Sequence, residues 1–585
     1  MSLNPEIIPM ETDVLIIGGG IAGCMAAIKA SEQDVNVTVV EKSNTLASGQ
    51  ASSGIDHLWA YLPPIHGKMG WSIDDLVEDH VQGVAHGFAN RALIHFIARE
   101  SYARALDLER YGVKIRYEDS TLPGHFRVVY QFHSVPSALN IEGRLIKVKL
   151  TEEVRRRGVR IVNRVMMTDL LSTHGEISAA LGVGTRDGNI YLFKTKAIVL
   201  SSGGKTGRLS RQPSGVEFNL HVPPNLCGDG KAMALRAGLD VMNMEFLSPT
   251  RLGLANFDAS GGPPRNTWQP AGTVVNGRGK KVVPRASVYD WGDLERGYQI
   301  DADESRREWL EGGGQRPKSM PSATQWQTQE PFYLDCTGGT EEEIKYIEWS
   351  LSHEGRCRQL LRHLQEERVD LRRDRLELGP QGREIGNLAS AGLVVDPNLE
   401  TEMKGLFAAG DEIGGVPFLS ATGALTTGWH AGDRAARRAR NQNRSLPADE
   451  GTVESLKRWC SERMSAEDGY TWREADYTLQ NIMDHYCGDV RSEAMLTRGI
   501  ERLKDIKNAP LLAATPHELA RCLEVKSLME NAEMVMTASL ARQESRKAPY
   551  FKRSDFPEQD DKNWFAFSAI RLDHGRLRVS KIPIG

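Results

Sequence analysis

The sequence predicts an α/β protein: a Rossmann-like parallel sheet, an inserted α+β segment and a helical C-terminal region. Three observations predict it. Residues 11–42, ETDVLIIGGGIAGCMAAIKASEQDVNVTVVEK, read as strand, glycine-rich turn, helix and second strand. Glycine-rich strand ends recur far apart, at 18–23, 201–204 and 410–415. Residues 450–545 are helical in pattern, whereas 246–330 are rich in Gly, Pro, Trp and charge.

The first unit assigns each residue a task. An apolar run, Val14 to Ile17, enters the turn Gly18-Gly19-Gly20-Ile21-Ala22-Gly23. Gly18 allows the tight turn, Gly20 lets a pyrophosphate approach the backbone, and Gly23 lets the helix pack on the sheet. Unpaired N–H groups and the positive dipole end of the helix face the phosphates. Glu41 ends the second strand, 23 residues after Gly18. A carboxylate there accepts bonds from a ribose 2′-OH and disfavours a 2′-phosphate. The unit therefore predicts dinucleotide binding, with FAD and NAD both open at this point. A sheet that gathers three glycine-rich strand ends serves a longer ligand than one nicotinamide needs, because ligands bind at the carboxyl ends of parallel strands.

Bulk properties narrow the class. A chain of 585 residues implies several domain-sized units. No apolar run reaches the roughly 20 residues that span a bilayer. Residues 1–10 lack the basic and apolar regions of a signal peptide, so a cytoplasmic location is expected. A net charge of −4 gives no basic excess for nucleic acid. The seven cysteines include no CxxC, which excludes an obvious zinc or iron–sulfur site within the chain and fits reduced thiols. Cys24, in the first helix, is expected in the core.

Further along, helices are expected over 72–111, started by Ser72 with Asp75, over 142–158 and over 228–239. Strands are expected near 159–163, 178–185, 197–204, 332–334 and 391–396. Residues 285–330 read as a loop or mobile cap. The tail, 546–585, is polar and is expected to pack along the surface.

Taken together, these segments resemble the FAD proteins of the fumarate reductase, succinate dehydrogenase and L-aspartate oxidase superfamily. The matching pieces are VLIIGGGIAG…VEK, ASGQASSG (47–54), IVLSSGG, CGDGKAMALRAG…MNMEF, YLDCTGG, GLFAAGDEIGG and ESRKAPYFKRSDFPEQDDKNW (544–564), in the family's order. The resemblance implies an FAD-binding Rossmann-like domain (1–245 and 386–445), an inserted α+β capping domain (246–385) and a C-terminal helical domain with its tail (446–585). It places FAD on Gly18, Gly20, Ile21, Ala22, Gly23, Glu41, Lys42, Ser48, Gly49, Ser53, Gly54, Ser202, Gly203, Gly204, Asp229, Gly410, Asp411, Leu425 and Thr426. Glu41 would hold the adenosine ribose, and Asp229 and Asp411 would face the FAD, Asp411 bonding its ribityl hydroxyls. Backbone N–H groups near Leu425 and Thr426, opening a helix, would face the flavin ring. Ser48 stands where some members carry the histidine that links flavin covalently, so non-covalent FAD is implied.

Within the superfamily, the departures point away from dicarboxylates. Members acting on succinate or fumarate hold their substrate with a histidine in an HPT motif and a histidine and arginine in a GGVHGANRLGGNSL-like motif. Here these read Ser248-Pro249-Thr250 and GGVPFLSATGALTTG, with Pro417 and Ala421 near the expected places. MNMEFLSPTR (242–251) and PYFKRSDFPEQDDKNW resemble the alpha subunit of adenylylsulfate (APS) reductase. That branch implies a small iron–sulfur, ferredoxin-like partner subunit. It also implies an arginine after the Pro-Thr step that holds an anionic substrate: Arg251, with Arg265 second. The likeness is incomplete. Trp59 stands where that branch presents an asparagine, and the cap diverges, which suits a relative acting on another substrate. Of His57, His125, His133, His221 and His430, His57 lies nearest the flavin segment and is the candidate acid–base group.

The reading is an FAD-dependent oxidoreductase flavoprotein moving two electrons between flavin N5 and a small, anionic substrate. The alternatives are an organic-acid dehydrogenase or reductase acting without a partner, and a non-catalytic electron-transfer flavoprotein subunit.

Overall fold

The computed structural model describes residues 5–117, 125–129, 135–211, 223–247, 251–254, 271–279, 281–283, 331–353, 355–381, 390–442, 449–546 and 549–585. At its centre is a parallel sheet in the order Leu406–Ala408, Ala197–Leu200, Val14–Ile17, Val37–Glu41, Arg160–Asn163. Val14, Leu15, Ile16, Val39, Ile198 and Val199 are fully buried, as strands covered on both faces require. The order sets Val14–Ile17, Ala197–Leu200 and Leu406–Ala408 side by side. Their glycine-rich ends therefore meet at one edge, as the sequence predicts.

Helix Ile21–Ala30 lies against helix Ser420–Asn441 at a crossing that only glycine permits. A Cβ on Gly428 would stand 2.3 Å from the Ala22 carbonyl, and one on Gly432 would stand 2.2 Å from that of Ala26. Cys24 is buried in this layer, as expected. A second, four-stranded sheet runs Ile7–Glu11, Ile190–Lys194, Glu176–Gly184, Val165–Thr173.

The inserted segment has its own core. Strands Arg251–Leu254, Leu376–Gln381, Phe332–Asp335, Thr273–Asn276 and Lys281–Val283 form one sheet in that order. Helices Glu341–His353 and Gly355–Glu366 cover it, with Phe332, Ile344, Ile347 and Leu351 fully buried. Residues 285–330, expected as a loop or mobile cap, lie outside the described residues, and the described part of 251–283 supplies three of these strands. The C-terminal region contains helices Glu450–Ser465, Trp472–Tyr486, Glu493–Asn508 and Pro516–Ala541.

Local signals are answered in detail. Ser72 and Asp75 form a full capping box at Ile73–Glu78, which satisfies two orphan N–H groups at once. The helical stretch 72–111 is not continuous: a π-helical turn at Asp79–Val84 precedes Arg91–Arg110. The tail corrects its expectation. Ala566–Asp573 and Arg576–Pro583 form a hairpin, and the first strand pairs with Val241–Met242. Phe567, Ser568, Ala569 and Ile570 are buried. Ala566–Asp573 is a structural strand because its apolar positions have a partner strand more than 300 residues away in sequence, whereas Arg576–Pro583 alternates exposed and half-buried positions along the surface.

Candidate functional site: a dinucleotide cradle

Gly18 adopts φ +99°, and its Cβ would fall 2.5 Å from the Ser201 carbonyl oxygen. Gly23 is equally constrained: its Cβ would fall 1.9 Å from the Gly18 carbonyl oxygen. Gly20 differs, because a Cβ there would meet nothing within 4 Å. Gly18 and Gly23 thus serve the fold, and Gly20 leaves an open cradle. Gly20 caps helix Ile21–Ala30 without any side-chain cap. The N–H groups of Ile21, Ala22 and Gly23 sit in its first turn, where the fold supplies no helix acceptor.

Glu41 is buried and holds the turn: its Oε2 accepts from the Gly19 N–H at 2.7 Å and its Oε1 from the Ser43 N–H at 2.7 Å. Each carboxylate oxygen keeps a second lone pair for a hydroxyl. Ser48 is buried, and its hydroxyl donates to the Gly19 carbonyl at 2.8 Å. Gly49, at φ +75°, would bring a Cβ within 3.2 Å of Gly20 Cα. Ser53 lies in the short turn Gln50–Ser53. Gly54 would bring a Cβ within 2.8 Å of the His353 carbonyl on the inserted domain's helix. The segment 49–54 therefore runs from the glycine-rich turn to helix Glu341–His353.

The second and third glycine-rich ends lock together. A Cβ on Gly204 would fall 2.0 Å from the Asp411 carbonyl oxygen. Gly203 takes φ +94°, and Ser202 Oγ donates to Glu412 Oε2 at 2.6 Å. Burial pushes the Glu412 carboxyl up, against the pull of Lys231. Lys231 in turn donates to the Gly204 carbonyl, and burial pushes its ammonium down. The Gly410 N–H donates to Thr427 Oγ1 at 2.8 Å. No hydrogen bond or salt bridge among the described residues occupies the Asp411 carboxylate, which leaves it available to sugar hydroxyls.

Asp229 opens helix Asp229–Arg236. Its Oδ2 accepts from Lys42 Nζ at 2.6 Å, while its Oδ1 is buried with no partner among the described residues. Lys42 also pairs with Glu524 Oε1 at 3.1 Å. Burial opposes the charge on Lys42, and Asp229 and Glu524 outweigh it, raising its pKa. Burial likewise opposes the Glu524 charge, but Lys42 and Arg208 bring it down to about 2. Lys42 thus fixes Asp229 and ties the cradle to helix Pro516–Ala541.

One expectation is corrected. The helix carrying Leu425 and Thr426 begins at Ser420, and Gly423 N already donates to the Leu419 carbonyl at 2.8 Å. The N–H groups of Leu425 and Thr426 therefore lie inside the helix ladder, and those free to face a ligand belong to Ser420, Ala421 and Thr422. Gly423 and Gly428 both lie within the helix, and Gly428 is where it crosses helix Ile21–Ala30. The Thr426 Oγ1 is buried with no partner among the described residues.

His57 opens the short strand His57–Trp59. Its Nδ1 donates to Asp56 Oδ1 at 2.5 Å, and the other oxygen of Asp56 accepts from Ser350 on the inserted domain's helix. Asp56 is 2% exposed, whereas the His57 side chain is 25% exposed. Burial pushes the Asp56 carboxyl up, and the His57 charge and hydrogen bond, with Ser350, more than reverse it. Trp59 presents its carbonyl to Thr422 Oγ1 at 2.7 Å. His430 pairs with Glu100 at 3.3 Å, and burial lowers its pKa. His125 is exposed. Arg265, His133, His221 and Ser248-Pro249-Thr250 lie outside the described residues. Arg251 begins a cap strand, its backbone paired with Gln381.

The residues present fit a flavin dinucleotide: an open position at Gly20, undonated helix N–H groups, a vacant carboxylate at Asp411, and orphaned buried oxygens on Asp229, Thr426 and Glu412. Sequence reasoning missed Lys231, Glu412, Arg208, Glu524, Asp56, Ser350 and Lys147. A buried lysine or glutamate on a helix carries no local signal distinguishing it from a solvated one.

The fold and cradle define an FAD-dependent oxidoreductase. Residues 13–424 match the FAD binding domain family and residues 476–584 the fumarate reductase flavoprotein C-terminal family. The chain belongs to the FAD binding domain family and is a flavoprotein of the fumarate reductase/succinate dehydrogenase type. A fumarate reductase (CoM/CoB) chain from Methanothermobacter marburgensis is 27% identical, over 94% of this chain and 95% of that one. The succinate dehydrogenase flavoprotein of Rickettsia bellii is 22% identical, over 100% of this chain and 97% of that one. Among solved structures, adenylylsulfate reductase from Archaeoglobus fulgidus superposes with a TM-score of 0.82 at 23% identity, covering 99% of this chain and 96% of that one. A quinol fumarate reductase from E. coli superposes with a TM-score of 0.72 at 20% identity, covering 98% and 97%. These likenesses establish the fold. Among the described residues, no helix is long and apolar enough to cross a membrane.

Proposed function

We propose that the protein moves two electrons between non-covalently bound FAD and a small anionic substrate beneath the inserted cap, in the manner of adenylylsulfate reductase rather than of a dicarboxylate enzyme. The observation that carries the reading is the Asp56–His57–Ser350 arrangement. It places an oriented imidazole at the end of the segment that links the phosphate turn to the cap. Bound FAD supplies the two-electron chemistry. His57 holds the proton that accompanies substrate conversion, and Asp56 fixes the imidazole so that Nε2 is the atom that gives or takes it. Ser350 links cap position to that orientation, and the closed cap excludes water.

The anionic substrate falls to Arg251, with Arg265 second, because an arginine fork suits a sulfate or phosphate group. Positions 417 and 421 are proline and alanine, whose side chains offer a dicarboxylate no cationic or hydrogen-bonding group. The Pro417 carbonyl instead meets His80 Nε2 at 2.8 Å. Electrons reach the site from an iron–sulfur, ferredoxin-like partner subunit, and the complex works in the cytoplasm.

An acid-precipitation spectrum tests the cofactor linkage: flavin released into the supernatant is expected, and flavin in the pellet would overturn the role of Ser48. Anaerobic mixing with sulfite plus AMP tests the substrate class. Bleaching of the flavin supports the reading. Bleaching by succinate alone would replace it with organic-acid chemistry, and reduction by dithionite without any substrate response would favour a purely electron-transferring flavoprotein. An iron-containing partner is expected to co-purify.

Asp56→Asn is expected to retain FAD yet slow substrate reduction of the flavin by a factor on the order of 10²–10⁴. The pH profile of that step should move, since the imidazole loses its carboxylate. The carboxyl of Asp56 sits below its ordinary 3.8 in the folded protein. Its stabilising contribution is therefore present above that value and lost as pH falls through the lower folded one. An unchanged rate and profile would remove His57 from the chemistry.

A further inference from the structure

Lys147 lies in the helix Ile146–Arg156, IKVKLTEEVRR. It is only 2% exposed. Its Nζ donates to the Gly19 carbonyl and lies 3.1 Å from Cys24 Sγ. Ser48 Oγ donates to the same carbonyl at 2.8 Å. No carboxylate among the described residues lies within 4.0 Å of the ammonium. Buried charges are ordinarily paired, because an unpaired ion loses its hydration without return. Here a carbonyl and a thiol are its partners, and the compensating anion is missing from the protein itself.

The carbonyl in question belongs to the peptide joining Gly19 to Gly20. In a trans peptide the C=O and the following N–H point in opposite directions. Lys147 and Ser48 hold the oxygen, so the Gly20 N–H is aimed the other way. Among the described residues that N–H has no acceptor. A charge-assisted bond at the oxygen also polarises the peptide and makes the N–H a stronger donor. We propose that Lys147 is a positioning residue for the dinucleotide: it fixes and polarises the Gly19–Gly20 peptide so that the Gly20 N–H meets the pyrophosphate, whose charge in turn compensates the buried ammonium. The proposal rests on FAD binding alone and is independent of the substrate.

This role has a signature that a structural lysine lacks. Removing an uncompensated buried cation relieves the apo form and weakens only the complex. The test uses the full chain, stripped of FAD and titrated with FAD by fluorescence, beside melting curves of the apo and loaded forms. Lys147→Met is expected to weaken FAD binding 10- to 100-fold while the apo form melts no lower than the parent. Lys147→Gln, which keeps a donor but no charge, is expected to fall between. Parental FAD affinity in Lys147→Met would overturn the proposal. So would an apo form that melts clearly lower or fails to fold, since either marks a purely structural lysine.

Discussion

Gly20→Val is expected to fold normally and to be isolated colourless. The cause is specific to this position. A Cβ at Gly20 meets nothing within 4 Å, and the backbone there, at φ −66° and ψ −167°, suits any L residue. The side chain therefore costs the apo fold little and enters the space that the phosphates need. Loss of close approach to the helix N–H groups should weaken FAD binding at least a hundredfold, about 2.7 kcal/mol. Gly23→Ala is the contrasting control. Its Cβ would strike the Gly18 carbonyl oxygen at 1.9 Å, so it should damage the turn itself and lower the melting temperature of the apo form. The ratio of flavin to protein absorbance, read beside an apo melting curve, separates the two. Yellow, fully loaded Gly20→Val protein would remove the pyrophosphate from this turn.

The same contrast explains what is legible in the sequence. Turn glycines, an acidic strand end and three glycine-rich strand ends declare a parallel sheet because each is forced by backbone geometry within a few residues. The central sheet accordingly forms with those ends adjacent. The capping box at Ser72 is legible for the same reason. Groups whose role depends on distant partners are not. Lys147 is buried because Gly19 and Cys24, far from it in sequence, receive its ammonium, and nothing in KVKL distinguishes it from Lys149. Asp56 acquires its meaning from Ser350, 294 residues on. The tail strand Ala566–Asp573 reads as a polar segment until Val241–Met242 is placed beside it. The family resemblance places Leu425 and Thr426 at a helix start. Gly428 and Gly432 mark a close helix crossing, and the helix starts about one turn earlier, at Ser420.

Arg542→Met is the substitution expected to cost most stability, and the reason lies in that tail. Arg542 is fully buried and spends its donors on Glu245 at 2.8 Å, Glu544 at 2.7 Å, the carbonyls of Trp564 and Ala566 at 2.8 Å each, and Ser568 Oγ at 3.1 Å. Its guanidinium also lies 4.8 Å from the Phe246 ring centroid. One side chain thus joins the segment after Val241–Met242, the end of helix Pro516–Ala541 and the tail hairpin. Methionine fills much of the volume but leaves Glu245 and Glu544 buried, with Glu245 losing its cation outright. Arg546 still pairs with Glu544 at 2.7 Å, so the damage concentrates at Glu245. Breaking one side of a buried ion pair costs about 3–5 kcal/mol. Hydrogen exchange should show the hairpin Ala566–Pro583 losing protection first, with the parallel sheet and its FAD retained at low temperature. Adding Glu245→Gln to Arg542→Met should recover part of the loss, because it removes the uncompensated charge. A hairpin as protected in Arg542→Met as in the parent would mean that strand pairing alone holds the tail.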